Sequence, residues 1–196
     1  MNWTKILTIG LLLVAVGLAY YLGSRIKFAI DEEKRIAGHE QLVIAKLSLI
    51  RKAEIAYLSV NGHYTNNWDS LTSFMQNGTF LITQRSEEII TLPYGADSVI
   101  VHIDTLGTIP VYDSLFSESK YPGFDFSKIN IIPDTGNALF DLFTDEIIKG
   151  GVKVNVIEVR DTAPVNPNRN ENNEARNKKP LRFGSRTDVT TTGNWE

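Results

Sequence analysis

The pattern of apolar and polar positions opens with an uninterrupted apolar run: from Ile6 to Leu22 the chain reads ILTIGLLLVAVGLAYYL, without one charged side chain. Trp3 stands before it and Tyr20 and Tyr21 close it, where aromatic rings suit the two faces of a bilayer. At about 1.5 Å per residue a helix over this stretch, with its aromatic flanks, covers a hydrocarbon core of roughly 30 Å. The pattern predicts a transmembrane anchor over residues 1–23 that meets membrane lipid through residues 6–22. A cleaved export signal would share the lone Lys5 and the apolar core. Here Ala15 and Ala19 lie inside the run and the bulky Tyr20, Tyr21 and Leu22 follow, so the segment is expected to stay as a signal anchor.

Beyond Gly23 the pattern becomes amphipathic. No proline occurs from Ser24 to Asn61 and Gly38 is the only glycine, which predicts a stalk helix over residues 24–62, continuous with the anchor. Ile36, Val43, Ile50 and Tyr57 recur every seven residues, with Leu47 and Leu58 beside them. Glu40 and Glu54 occupy the four-residue offsets where a coiled coil would place its second seam. The stalk is therefore expected to lie with its apolar face on a sheet of its own domain. Asn61-Gly62 should close it.

A globular domain is predicted over residues 63–163. Asn67 can cap a short helix in which Trp68, Leu71, Phe74 and Met75 share a face, ended by Asn77-Gly78. From Thr79 the pattern turns to β-rich runs: Phe80 to Thr83, Glu88 to Leu92, Ser98 to Asp104, Thr108 to Tyr112, Lys128 to Ile132, Leu139 to Thr144 and Val152 to Val159. Leu106-Gly107 and Lys149-Gly150-Gly151 read as hairpin turns. The alternation of Val152, Val154 and Val156 predicts a buried face, with Lys153 and Asn155 turned to water. Residues 164–180, rich in Asn, Arg, Glu, Lys and Pro, read as a flexible linker, because they offer little apolar surface to offset chain entropy. Residues 181–196 regain Leu181, Phe183, Val189 and Trp195 and form a docking segment, expected to fold back on the domain, the alternative being a docking tail for a partner. The fold class is α+β: an N-terminal transmembrane helix, continuous with a long amphipathic helix packed on a small, mainly antiparallel β domain.

Charge and composition narrow the functional classes. A net charge of −3, with both signs mixed along the chain, argues against a nucleic-acid partner. The absence of cysteine excludes disulfides, thiolate zinc sites and thiol nucleophiles. Lys5 on one side of the apolar run balances Arg25 and Lys27 on the other, so the positive-inside rule does not fix the orientation. The expected arrangement is the common one, with the domain on the exported, periplasmic or extracytoplasmic side. Ala15, Ala19 and Gly23 lie at i, i+4 and i+8, a small-residue stripe that would admit a second helix.

Candidate chemistry is sparse. Asp134-Thr135-Gly136 is the tripeptide of aspartic proteases, but Pro133 precedes it, Asn137 follows it and no second copy occurs, so a turn is expected. His39, His63 and His102 lack metal-ligand spacing and are expected at the surface or a strand edge. Asp97, Asp104 and Asp113 lack the glycine-punctuated loop of a calcium site. No phosphate loop or serine-nucleophile pattern occurs. No catalytic, cofactor-binding or metal-binding residue is expected, and no cofactor.

The N-terminal third, Met1 to Gly78, resembles the type IV pilins and pseudopilins. The resemblance rests on the apolar helix continuous with an amphipathic one, on Ala53-x-x-Ala56-Tyr57 at the helix end, and on the Asn61, Gly62 and Tyr64 loop that follows. The prepilin-peptidase glycine before the apolar run and the early glutamate of that family have no counterpart here. What the resemblance implies is a shape and a class: a non-enzymatic, single-pass membrane protein whose exported domain serves a cell-envelope assembly. Its partners would be other envelope proteins, or a second copy through anchor and stalk. A membrane-tethered binding domain for a small molecule or glycan is the alternative.

Overall fold

The computed structural model describes residues 3–91 and 97–196. One helix, α1, runs unbroken from Trp3 to Asn61. Gly38 costs it only about 1 kcal/mol relative to alanine, too little to break a helix supported on both sides. Termination is local: Gly62 has φ 78° and its N–H donates to the Leu58 carbonyl at 2.8 Å. A Cβ would strain that left-handed conformation.

Burial divides α1 in two. As far as Gly38 its described side chains are exposed, Glu32 and Ile36 partly, and apolar side chains point in every direction around the first turns. From His39 onward one face is covered, with Val43, Leu47, Ile50 and Ala53 fully buried. This face meets α2 (Trp68–Asn77), which starts where the Asn67 side chain accepts from the Asp69 and Ser70 N–H groups at 2.8 and 3.3 Å. Leu71 and Met75 of α2 are buried, and Trp68 and Phe74 flank them.

Two antiparallel sheets follow. The first is a hairpin of β1 (Thr79–Thr91) and β2 (Asp97–Pro110), into which the four short runs expected between Phe80 and Tyr112 merge. The expected turn at Leu106-Gly107 is instead a bulge inside β2: Ile82 faces Gly107, Thr83 faces Thr105, and Leu106 is the extra residue. The end of the run expected at Leu92 lies outside the described residues. Tyr112 leaves the strand for a π-helical turn over Tyr112–Phe116.

The second sheet has the order β3 (Asp141–Lys149), β4 (Val152–Arg160), β5 (Arg182–Gly184). Gly150 and Gly151, at φ 62° and 82°, form the two-residue turn expected between β3 and β4. Both need the positive φ of a type I′ hairpin. The alternation expected in β4 holds in part: Val156 is buried and Lys153 exposed as expected, but Val154 and Asn155 are both half-buried. Ile157 and Val159 face α1 and join the core, whereas Val152 is exposed at the free end of the hairpin. Asn155 shares the inner face and donates to the Gly62 carbonyl at 3.0 Å, closing the end of α1. The far half of β4 is buried on both sides because it is central and overlaid by the C-terminal segment.

The strand expected over Lys128–Ile132 is a 3₁₀ turn, Phe126–Lys128, followed by a single bridge between Ile131 and Leu139. Ile129 and Ile132 are both buried, and a spacing of three suits a tight helical turn rather than the two-residue period of a strand. Phe116, Tyr121, Phe124 and Phe126 stack here with ring centroids 5.0 to 6.4 Å apart.

The C-terminal quarter is tied to the domain throughout. Leu181 and Phe183 enter the core, Trp195 packs against it, and Gly184 passes so close to Ile157 that a Cβ would meet its carbonyl oxygen at 2.0 Å. Residues 164–180, expected to be a flexible linker, lie against α1, held by Arg169 and Asn166. Polar contacts order this stretch where apolar ones are too few.

Candidate functional site

Glu40, Lys46, Arg51, Lys52 and Glu54 of α1 define the most organised site among the described residues, because each bonds a different segment outside the helix. Lys46 Nζ donates to the Lys128 and Ile131 carbonyls at 2.6 and 2.5 Å, and burial pulls its ammonium below the usual lysine range. Arg51 donates to Glu196 at 2.6 Å and to the Thr191 carbonyl at 3.2 Å, with its guanidinium over the Trp195 ring. Lys52 reaches the Tyr121 hydroxyl at 3.1 Å. Spread around the helix, these three side chains fasten the loops and the C-terminus to α1.

Glu40 is the centre of the upper part. Arg169 Nε donates to its Oε1 at 2.6 Å and Nη2 to its Oε2 at 3.2 Å, while Asn166 adds a bond of 2.9 Å. Arg169 Nη1 also donates to the carbonyls of Asn177 and Lys179, at 2.6 and 3.0 Å. Burial opposes the charge on Glu40, but the bonds from Arg169 and Asn166 outweigh it and hold the carboxyl below its ordinary range. This is a bidentate, charge-assisted clamp.

Beside it, His39 is buried rather than at the surface. Its Nδ1 stands 3.9 Å from Asp134 Oδ2, and its Nε2 meets no hydrogen-bond partner among the described residues. Asp161 is also buried; burial raises its carboxyl against the opposing influence of the Ala163 N–H, His39 and Arg169. Glu54, lower on the same face, is completely covered. Its Oε2 accepts from the Thr65 N–H at 3.1 Å, its Oε1 has no partner, and burial pushes its pKa up to about 8. In sequence these acids interrupt the apolar stripe. That interruption was the one available sign that they lie inward.

The other residues weighed from sequence are dispersed. Pro133-Asp134 is a turn, with Asp134 at φ 55° and its side chain 70 % exposed. Asparagine accepts that conformation readily, and so exposed an ion pair contributes little. Asp134→Asn is accordingly expected to change stability by no more than about 0.5 kcal/mol in urea unfolding. His63 lies exposed after α1, edge-on to Tyr57. His102 is exposed on β2, its Nε2 3.4 Å from Glu88. Asp97 begins β2, Asp104 faces Gln84 in mid-strand, and Asp113 belongs to the turn at residues 112–116. Among the described residues no three His, Asp or Glu side chains are grouped to hold a metal ion.

Surface hollows are shallow. One of about 510 Å³ lies between α1 and α2, lined by Tyr57, Asn61, Asp69 and Phe74 among others. Another, of about 410 Å³, is bordered by Arg176, Arg182, Ser185, Asp188, Thr190 and Thr192. In the second, Ser185 Oγ accepts from the Asp188 N–H at 3.2 Å, and the Asp188 carboxylate accepts from Lys149 at 2.6 Å. Compared with known proteins, the chain matches no family model, no curated protein and no solved structure. The class its fold defines is an α+β domain carried on one long helix, whose N-terminal part is long and apolar enough to cross a membrane by length and composition.

Proposed function

We propose that this is a non-enzymatic, single-pass membrane protein whose exported domain is a subunit or accessory factor of a cell-envelope assembly, with a pilin-like plan. The observation that carries the membrane reading is the first part of α1: its apolar window is wholly uncovered by the rest of the chain, and apolar side chains surround it on all sides. A core helix would be covered, and an amphipathic surface helix would show a polar face. The assembly reading is supported by the domain's attachment to the stalk through the buried face of α1, which transmits position. Deletion of residues 1–23 should move the protein from the membrane fraction to the soluble one with its β circular-dichroism signal intact. Protease added from the exported side should digest the domain in intact membranes. A protein that stays membrane-bound without those residues, or a domain protected from that side, would count against the reading.

The alternative, a membrane-tethered domain for a small molecule or glycan, draws on the hydroxyl-rich hollow beside Ser185, Thr190 and Thr192. Purification of the full-length protein in detergent separates the two. Stoichiometric protein partners support the assembly subunit, and a monomer that binds glycan supports the alternative.

A further inference from the structure

The β1–β2 hairpin is a two-stranded sheet, so among the described residues each of its strands has one edge that meets no other strand. Phe80 at its root touches the core, but from Leu81 to Ile90 every side chain is exposed. Apolar residues run along its length: Leu81, Ile82, Ile89 and Ile90 on β1, and Val99, Ile100 and Ile103 on β2. An isolated hairpin is marginal in water, and open edges of this kind are normally covered or paired. The edge strand β1 carries Arg85 and Glu87 on either side of Ser86.

We infer that β1 pairs with β1 of a second copy of this chain, antiparallel and centred on Ser86, so that two hairpins form one four-stranded sheet. The strand is self-complementary about that centre. With Ser86 opposite Ser86, Arg85 faces Glu87 on both sides of the axis, Gln84 faces Glu88, Thr83 faces Ile89, and Ile82 faces Ile90. Opposite charges lie directly across from one another and apolar pairs lie outside them, the arrangement that stabilises cross-strand contacts. Neighbouring registers lack this match. Only alternate residues of an edge strand turn their N–H and C=O outward, so the centre of pairing shifts by whole residues. A centre at Arg85 sets arginine against arginine, and a centre at Glu87 sets glutamate against glutamate. Charge selects the register, and the apolar residues give it area. The inference is independent of the membrane reading, since it uses only the hairpin.

The chain contains no cysteine, so Ser86→Cys introduces a single thiol at the axis. Directly opposed residues of antiparallel strands lie about 4.5 to 5.5 Å apart at Cα, within disulfide reach. In Gln84→Cys the two thiols would be four positions apart in register, roughly 13 Å, and out of reach. Full-length protein in detergent, with copper-phenanthroline and oxygen accepting the two electrons, should give a disulfide dimer with Ser86→Cys at least about ten times faster than with Gln84→Cys. Equal rates would mean that the copies meet only through a shared micelle. No dimer, or a cross-link only to another polypeptide, would also overturn the pairing. A second test uses charge: Arg85→Glu and Glu87→Arg should each be monomeric, since each sets like charges face to face, whereas their mixture should restore a dimer. Because both variants lose the ion pair within the strand, damage to the hairpin itself would leave the mixture monomeric.

Discussion

Between pH 5 and pH 8 the folded domain should lose about 2.5 to 4 kcal/mol of stability through one side chain, Glu54, and Glu54→Gln should abolish that loss. The carboxyl is completely buried with a pKa of about 8, against an ordinary value of 4.5. Below the ordinary value both folded and unfolded chains hold the proton, and the group is neutral in each. As the pH rises past it, the unfolded chain releases the proton while the folded chain keeps it. The unfolded state then binds fewer protons, so stability falls with pH until the folded carboxyl also ionises. Asp161, raised by burial, adds in the same direction. Glu40 acts oppositely, since its lowered value gives stability that is lost only as the pH falls below the ordinary carboxylate range. Glutamine keeps an oxygen for the Thr65 N–H and never ionises. Urea unfolding of wild type and variant at the two pH values isolates Glu54; parallel pH profiles would mean that its carboxyl is ionised in the folded protein.

Arg169→Ala should cost about 2 to 4 kcal/mol and free residues 164–180 for proteolysis. The Arg169 and Glu40 side chains are 11 % and 19 % exposed, so removal of the guanidinium leaves a largely buried carboxylate with only Asn166. The Asn177 and Lys179 carbonyls lose the same donor. Arg169→Lys should fall between, since an ammonium keeps the charge but cannot bond Glu40 through two nitrogens while reaching two carbonyls. If trypsin and a glutamate-specific protease cut wild type and Arg169→Ala equally fast in this stretch, polar contacts do not hold it.

Much of the architecture was legible in the residues because its causes are local. The continuity of α1, the Asn67 cap, the stop at Gly62 and the Gly150-Gly151 turn each depend on side chains within a few positions of the feature, through excluded φ values or a single short-range hydrogen bond. The apolar stripe of the stalk likewise named Val43, Leu47 and Ile50 as core. The candidate site was legible only as an interruption of that stripe. A glutamate on a helix has the same local preferences whether it faces water, is neutralised in the core like Glu54, or is clamped like Glu40. Its fate is set by partners far along the chain, such as Arg169, 129 residues away. The same holds for β4, where Ile157 and Val159 rather than Val152 face inward because α1 lies across that end of the sheet. It holds equally for residues 164–180, too polar to fold alone and ordered by a carboxylate that only the tertiary structure brings beside them.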